Sequence, residues 1–277
     1  MSALTVPISR IAPGSLRAAW RVFWYGGRMS YGMLFNWARP SIYIPTLIGG
    51  PTFQLFFFAA LGSYATDRSP AYFAIGNAVQ ASAIAGVFGM TMAIANERWF
   101  GTLPAILATP ANRAALFAGR FMPFVLNGLL VSLYAFGLGV VFLGVRLAPG
   151  SLAVAALALL VTVFSCTAIG ALQGAISLRL RDGLFGANLV TMSILLFCGV
   201  NIPLRELPGW MQLVGNLLPF THGLQAVREA ADGAGFSQVG GLIGIEALVG
   251  IVYALVAFTL FVYLERSARR NATLDVR

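Results

Sequence analysis

Six stretches of this chain are apolar over the length needed to cross a bilayer, and nothing else in the sequence limits the fold as strongly. An α-helix of about 20 apolar residues spans the hydrocarbon core. Residues 40–62, 73–95, 118–143, 151–178, 187–203 and 240–264 fit that pattern, the fifth being the shortest. Hydrocarbon offers no water to backbone N–H and C=O groups, so such runs must be helical. Only 10% of residues are charged, where a soluble domain carries roughly a quarter. The sequence therefore predicts an all-α polytopic membrane protein of six transmembrane helices, with residues 1–277 forming one membrane domain. Pro45 and Gly49-Gly50-Pro51 predict that the first span is kinked or locally unwound. Asn201-Ile202-Pro203 closes the fifth. Cys166 and Cys198 fall inside apolar runs and read as packing residues rather than a disulfide pair.

Charge sets the orientation. The net charge of +9 rests on arginine alone, because the sequence has no lysine. A nucleic-acid module needs a basic face on a soluble fold. These arginines are instead spread between apolar runs, which excludes nucleic acid as a partner. With the N-terminus inside, the cytoplasmic segments hold Arg10, Arg17, Arg21, Arg28, Arg39, Arg98, Arg113, Arg120, Arg179, Arg181, Arg266, Arg269, Arg270 and Arg277. Only Arg68, Arg146, Arg205 and Arg228 fall outside. The positive-inside rule thus predicts a multi-pass protein of the cell (plasma) membrane with both termini cytoplasmic. Arginines interrupt the first apolar run, which argues against a cleavable signal peptide.

Three segments lie apart from the spans. Residues 15–39 form a predicted amphipathic helix: at 100° per residue Arg17, Arg21, Arg28 and Arg39 share a stripe roughly 40° wide, beside Leu16, Trp20, Phe23 and Leu34. Such a helix suits the headgroup layer, in contact with membrane lipids; an ordinary soluble amphipathic helix is the alternative. Residues 97–113 are a polar island on the cytoplasmic side, with a short helix predicted over Leu103 to Ala108, Thr102 as its N-cap and Pro104 in its first turn. Residues 203–237, between spans five and six, are too polar to cross. They hold two short apolar stretches divided at Pro219, with Thr221 a candidate cap for the second. Two short outer-side helices dipping into the leaflet fit this composition, against the alternative of a plain external loop.

Residues able to carry chemistry are few. The single histidine, His222, leaves no histidine-rich metal site, and it reads as a polar interfacial residue. A phosphate-binding P-loop needs its lysine, so the chain predicts no ATPase site of its own, no bound cofactor and no metal. Glu246 is the one carboxylate well inside a span. It is either a pathway acid or a group bonded to a neighbouring helix. Gln54, Asn77, Gln80 and Asn188 are candidate pathway amides, although most such groups only join helices. Gly170-x-x-x-Gly174 and Gly240-x-x-x-Gly244 permit close helix approach.

The polar island then resembles a family pattern. Glu97-Arg98, Gly101-Thr102-Leu103 and Thr109-Pro110 match in spacing the first cytoplasmic loop of ABC transporter permeases of the second type, a group of drug and polysaccharide exporters. Pro104 departs from the acidic residue common there. Leu207-Pro208-Gly209-Trp210, Asn216-Leu217-Leu218-Pro219 and Arg228 follow that family's pattern in the two short helices. The resemblance implies that residues 97–113 dock on a separate cytoplasmic ABC ATPase, which would bind ATP and Mg. It implies that the 15–39 helix touches that subunit and that two permease chains pair as a homo- or heterodimer. Trp210, Pro219, Phe220 and Arg228 would then belong to an outer gate. Twenty-one phenylalanines favour an amphipathic or hydrophobic cargo, such as a drug, natural product or lipid-linked molecule, with a polysaccharide or other glycan as the alternative. An ion-coupled carrier and a non-transporting membrane scaffold are the competing classes.

Overall fold

The computed structural model describes residues 16–37, 40–99, 112–180 and 182–271. Among them every regular element is helical: α1 (Leu16–Trp37), α2 (Pro40–Ala65), α3 (Pro70–Trp99), α4 (Arg113–Phe142), α5 (Leu152–Leu180), α6 (Gly183–Phe197), α7 (Gly209–Leu217), α8 (Thr221–Ala231) and α9 (Phe236–Asn271), with two short 3₁₀ turns.

Local chemistry places several boundaries. Pro40 and Pro70 open α2 and α3, where a missing N–H costs nothing. Asn112 caps α4 by accepting from the Ala114 and Ala115 amides at 3.0 and 3.2 Å. Asp182 caps α6 through the Phe185 amide at 2.9 Å. Gly144 at φ 69° and Gly199 at φ 78° follow the last turns of α4 and α6, a left-handed conformation that ends helices readily at glycine. Gly199 is the reason α6 stops at Phe197, short of the predicted 203. The helix α2 runs without a break through Gly49-Gly50-Pro51 instead of unwinding. There the Thr52 hydroxyl donates to the Ile48 carbonyl at 2.7 Å and lies 2.9 Å from the Tyr134 hydroxyl of α4.

Four helices among the described residues, α3, α4, α5 and α9, are long and apolar enough to cross a membrane, with mean hydropathy of 1.6 to 2.5. The helix α6 has 15 residues, about 23 Å of rise, less than the hydrocarbon thickness of about 30 Å. The chain is a multi-pass membrane protein with α3 at its centre. That helix packs against α2, α4, α5 and α6, while α1 lies along α4, and α5 carries both α8 and α9.

Between lipid-solvated helices, close packing and interhelical hydrogen bonds replace a hydrophobic driving force. Thr91 of α3 donates to the Gly170 carbonyl of α5 at 3.0 Å, and Ser132 of α4 to the Ala78 carbonyl of α3 at 2.8 Å. The α3–α5 contact uses Gly170, where a Cβ would stand 2.8 Å from Val87 Cα and 2.9 Å from its carbonyl oxygen. Of the two predicted glycine pairs, Gly170/Gly174 meets α3 at Val87 and Ile94, whereas Gly240 faces Phe236 of its own helix and Gly244 faces open space. Cys166 and Cys198 are buried free thiols.

Backbone atoms cannot swing away from a new methyl group. Gly170→Ala is therefore expected to separate α3 from α5 at a cost of about 1–3 kcal/mol and to lower the thermal midpoint of the detergent-solubilised chain. Gly244→Ala is the matched control, and equal midpoints for the two variants would refute this account of the contact.

Candidate functional site

On α3, Tyr72, Gly76 and Gln80 recur every fourth residue and so share one face, with Asn77 beside them. This face organises the polar interior. Asn77 is buried: its amide nitrogen donates to the Phe73 carbonyl at 2.9 Å and to the Asn201 side-chain oxygen at 2.8 Å. Its own oxygen accepts from Gln54 of α2 at 3.1 Å. Three amides thus tie α2 and α3 to the segment that follows α6. One turn along α3, Gln80 is fully buried, and its nitrogen donates to the Thr191 carbonyl of α6 at 3.4 Å. Its oxygen has no hydrogen-bond partner among the described residues. Gln80, Gln54 and Thr191 lie in a groove of about 520 Å³ whose other walls are Phe53, Phe57, Phe58, Ile84, Met192 and Leu195. Phe53 is 79% and Phe57 60% exposed, so the groove opens to the outside of the single chain.

Arg228 of α8 holds the end of α6. Its two terminal nitrogens donate to the Gly199 carbonyl at 2.8 Å and the Val200 carbonyl at 2.7 Å. These carbonyls lie just past the end of α6, where the helix no longer supplies donors for them. The guanidinium carbon stands 3.9 Å from the Tyr72 ring centroid, within cation–π range. Arg68 approaches the same ring at 5.1 Å and pairs with Glu206. A Cβ at Gly76 would come within 2.4 Å of the Val200 oxygen and 2.6 Å of the guanidinium, so only glycine admits this arrangement. Burial pulls Arg228 down to about 10, opposed by Tyr72, and the group stays cationic at neutral pH. Burial also lowers His222 below its ordinary value, which favours the neutral ring.

Glu246 of α9 is fully buried against α5 and α8, apart from the residues that line the groove. One carboxyl oxygen accepts from the Phe220 amide at 2.8 Å and from the Ser165 hydroxyl of α5, and the other from the Gly223 amide at 3.1 Å. Glu246 thus caps α8. Thr221 does not: it lies one residue inside the helix, and its hydroxyl turns back to the Gly215 carbonyl of α7 at 2.5 Å.

The structure brings Gln54, Asn77 and Gln80 together. It leaves Asn188 on an exposed face of α6, bonded to the Leu184 carbonyl of its own helix, and Glu246 in its separate cluster. Of the residues assigned by resemblance to an outer gate, Trp210 is exposed edge-on to Phe197, Pro219 and Phe220 are buried, and Arg228 is the clamp just described. Arg17, Arg21 and Arg28 are exposed on α1. Glu97 and Arg98 fall in the last turn of α3, whereas Arg39, Gly101, Thr102, Leu103, Thr109 and Pro110 lie outside the described residues. Sequence reasoning missed Tyr72, Ser165 and Thr191, whose roles come from partners distant in the chain. Asn201 was visible only as the end of an apolar run.

Residues 29–231 match the family model for the ABC-2 type transporter. The chain belongs to that family. Among ABC-2 relatives, the ycf38 protein of Cyanophora paradoxa, named as a transport permease, is 28% identical over 193 residues, covering 65% of this chain and 66% of that protein. The daunorubicin resistance ABC transporter permease protein DrrB1 of Streptomyces coeruleorubidus is 31% identical over 173 residues, covering 61% of this chain and 58% of its own length. The chain thus spans just under two thirds of the first relative's length and 58% of the second's. Membership of the ABC-2 family makes it a membrane component of a transport system.

The clamp makes Cys198, buried beside Gly199, a built-in reporter. Arg228→Lys replaces a planar fork with a point charge that cannot hold two carbonyls in one plane. Maleimide labelling of Cys198 is expected to accelerate several-fold in that variant while Cys166 stays protected. Unchanged labelling of Cys198 would show that the guanidinium does not hold this segment.

Proposed function

We propose that the chain is the membrane-spanning permease subunit of an ATP-driven exporter in the plasma membrane. In this reading it crosses six times, with α2 and α6 as the first and fifth crossings and both termini cytoplasmic. It pairs with a second permease chain, identical or related. A separate cytoplasmic ABC ATPase binds ATP and Mg and docks on residues 97–113, and α1 lies at the headgroup layer beside it.

The groove on α2, α3 and α6 is the observation that carries the reading. Its nine lining residues include three polar ones, Gln54, Gln80 and Thr191. Mostly apolar walls with a few fixed polar groups suit a drug-sized amphipathic molecule. A glycan needs many more hydrogen-bond partners than this lining offers. The unpaired Gln80 oxygen favours a cargo that brings an N–H or O–H donor. A drug-resistance permease among the relatives supports the same class of cargo. Glu246 supports no ion-coupled alternative, since both its oxygens are already engaged by backbone and hydroxyl donors.

The test uses the chain together with its ATPase in inside-out vesicles, with fluorescent daunorubicin as probe. Replacing Gly101-Thr102-Leu103 by alanines is expected to abolish co-purification of the ATPase, and Glu97→Ala to leave ATP hydrolysis running without uptake. Normal coupled uptake in both variants would remove the docking role from this loop. A third variant addresses the groove: Gln80→Leu is expected to raise half-saturation for the probe about three- to tenfold, the worth of one hydrogen bond. An unchanged half-saturation would place the cargo elsewhere.

A further inference from the structure

We propose that Glu246 is a positioning residue that holds α8 across the outer mouth of the pathway, by acting as a two-oxygen hydrogen-bond acceptor for the start of that helix. What α8 closes rests on the exporter reading; the cap itself rests on geometry alone.

The first turn of any α-helix has backbone N–H groups without intrahelical partners. For α8 these groups are buried, and water cannot serve them. Phe220 stands at φ 131°, a left-handed conformation unfavourable for a side chain with a Cβ, and α8 begins at the next residue. This backbone is held by its surroundings rather than by its own preference. The Phe220 and Gly223 amides approach different oxygens of Glu246, and Ser165 of α5 joins the first oxygen. A carboxyl group provides acceptors on both sides of its plane edge, whereas an amide has only one. In either orientation Glu246→Gln would set an NH₂ group against a backbone N–H. Asp keeps the carboxylate but is one methylene too short.

A second observation, independent of the carboxylate, supports the same role. Gly223 packs so closely on α5 that a Cβ there would lie 2.0 Å from the Thr162 hydroxyl and 3.1 Å from Glu246 Cγ. Glycine at 223 lets the amide reach the carboxyl oxygen. At the other end of the helix Arg228 binds the carbonyls of 199 and 200. The helix α8 is therefore fixed at its start to α9 and α5, and near its end to the close of α6. By contrast α7 carries exposed Trp210, Leu213 and Leu217 and is tied to α8 and α9 through the Gly215 and Leu217 carbonyls. In this arrangement α8 is the anchored lip, and α7 is held beside it by these two bonds.

The experiment reads the docking of α8 and transport separately, in the complex with its ATPase. A cysteine at Ala226, which is fully buried on α8, reports docking through maleimide labelling at rest. Glu246→Gln, Glu246→Asp and Gly223→Ala are each expected to speed labelling by about tenfold, the consequence of one or two unmet buried hydrogen bonds, and to lower daunorubicin uptake. Thr162→Gly in the Gly223→Ala background returns the space and should restore both. If Glu246→Gln abolishes uptake while labelling stays at the parent rate, the acid serves an ion path and the proposal falls. It falls equally if Gly223→Ala labels and transports as the parent does. The labelling arm does not depend on the cargo. A parent complex that protects position 226 but moves no probe overturns the exporter reading and leaves the cap standing.

Discussion

A polar backbone group taken out of water must find a partner inside the protein, and this fold answers that demand at two helix ends with the charged side chains of Arg228 and Glu246. Arg228 meets the carbonyls that α6 leaves open when it ends at Gly199. Glu246 meets the amides that α8 leaves open where it begins. In a soluble protein both ends could face solvent. In a membrane protein, non-helical backbone at depth survives only where protein encloses it, so the end of α6 and the start of α8 depend on these two side chains reaching them. Neither side chain is a salt-bridge partner of the other. Each serves main chain.

The central helix α3 gathers the remaining polar work. Tyr72, Asn77 and Gln80 lie within three turns and reach in succession the Arg228 clamp, the Asn201 and Gln54 amides, and the Thr191 carbonyl. The same helix ends at Trp99, where the polar island begins. In the exporter reading one rod of 30 residues, about 45 Å of rise, connects the docking loop to the groove. Packing on both long neighbours, α4 and α5, leaves it little freedom to bend.

Much of this plan was legible in the sequence, and the misses have physical causes. Long apolar runs announce helices because burial depth and length leave no other element, so α3, α4, α5 and α9 were recognisable at once. The end of α6 was not, because nothing local distinguishes the left-handed Gly199 from the many glycines that sit comfortably inside helices here. Thr221 carries a good local capping signal, yet Glu246, 26 residues from Phe220, supplied the cap. A local rule cannot see a donor–acceptor pair closed by tertiary packing. Gln54, Asn77, Gln80 and Asn188 shared one reason for notice, polarity within an apolar run. Helix rotation then decided that three face the interior and Asn188 does not. The predicted docking residues Gly101 to Pro110 lie outside the described residues, so their reading rests on the resemblance.

The length of α9 has a consequence of its own. Its 36 residues make a rod of about 54 Å, while the hydrocarbon layer is about 30 Å thick. Even tilted by about 40°, the steep end of the observed range, such a rod outruns the apolar slab by some 10 Å. The excess length of α9 therefore lies outside the hydrocarbon, in the headgroup zone or beyond it. The grip on α8 at Glu246 lies in the first third of the helix, while Arg266, Arg269 and Arg270 fall in its last turns. One rod thus joins a buried cap to a basic end.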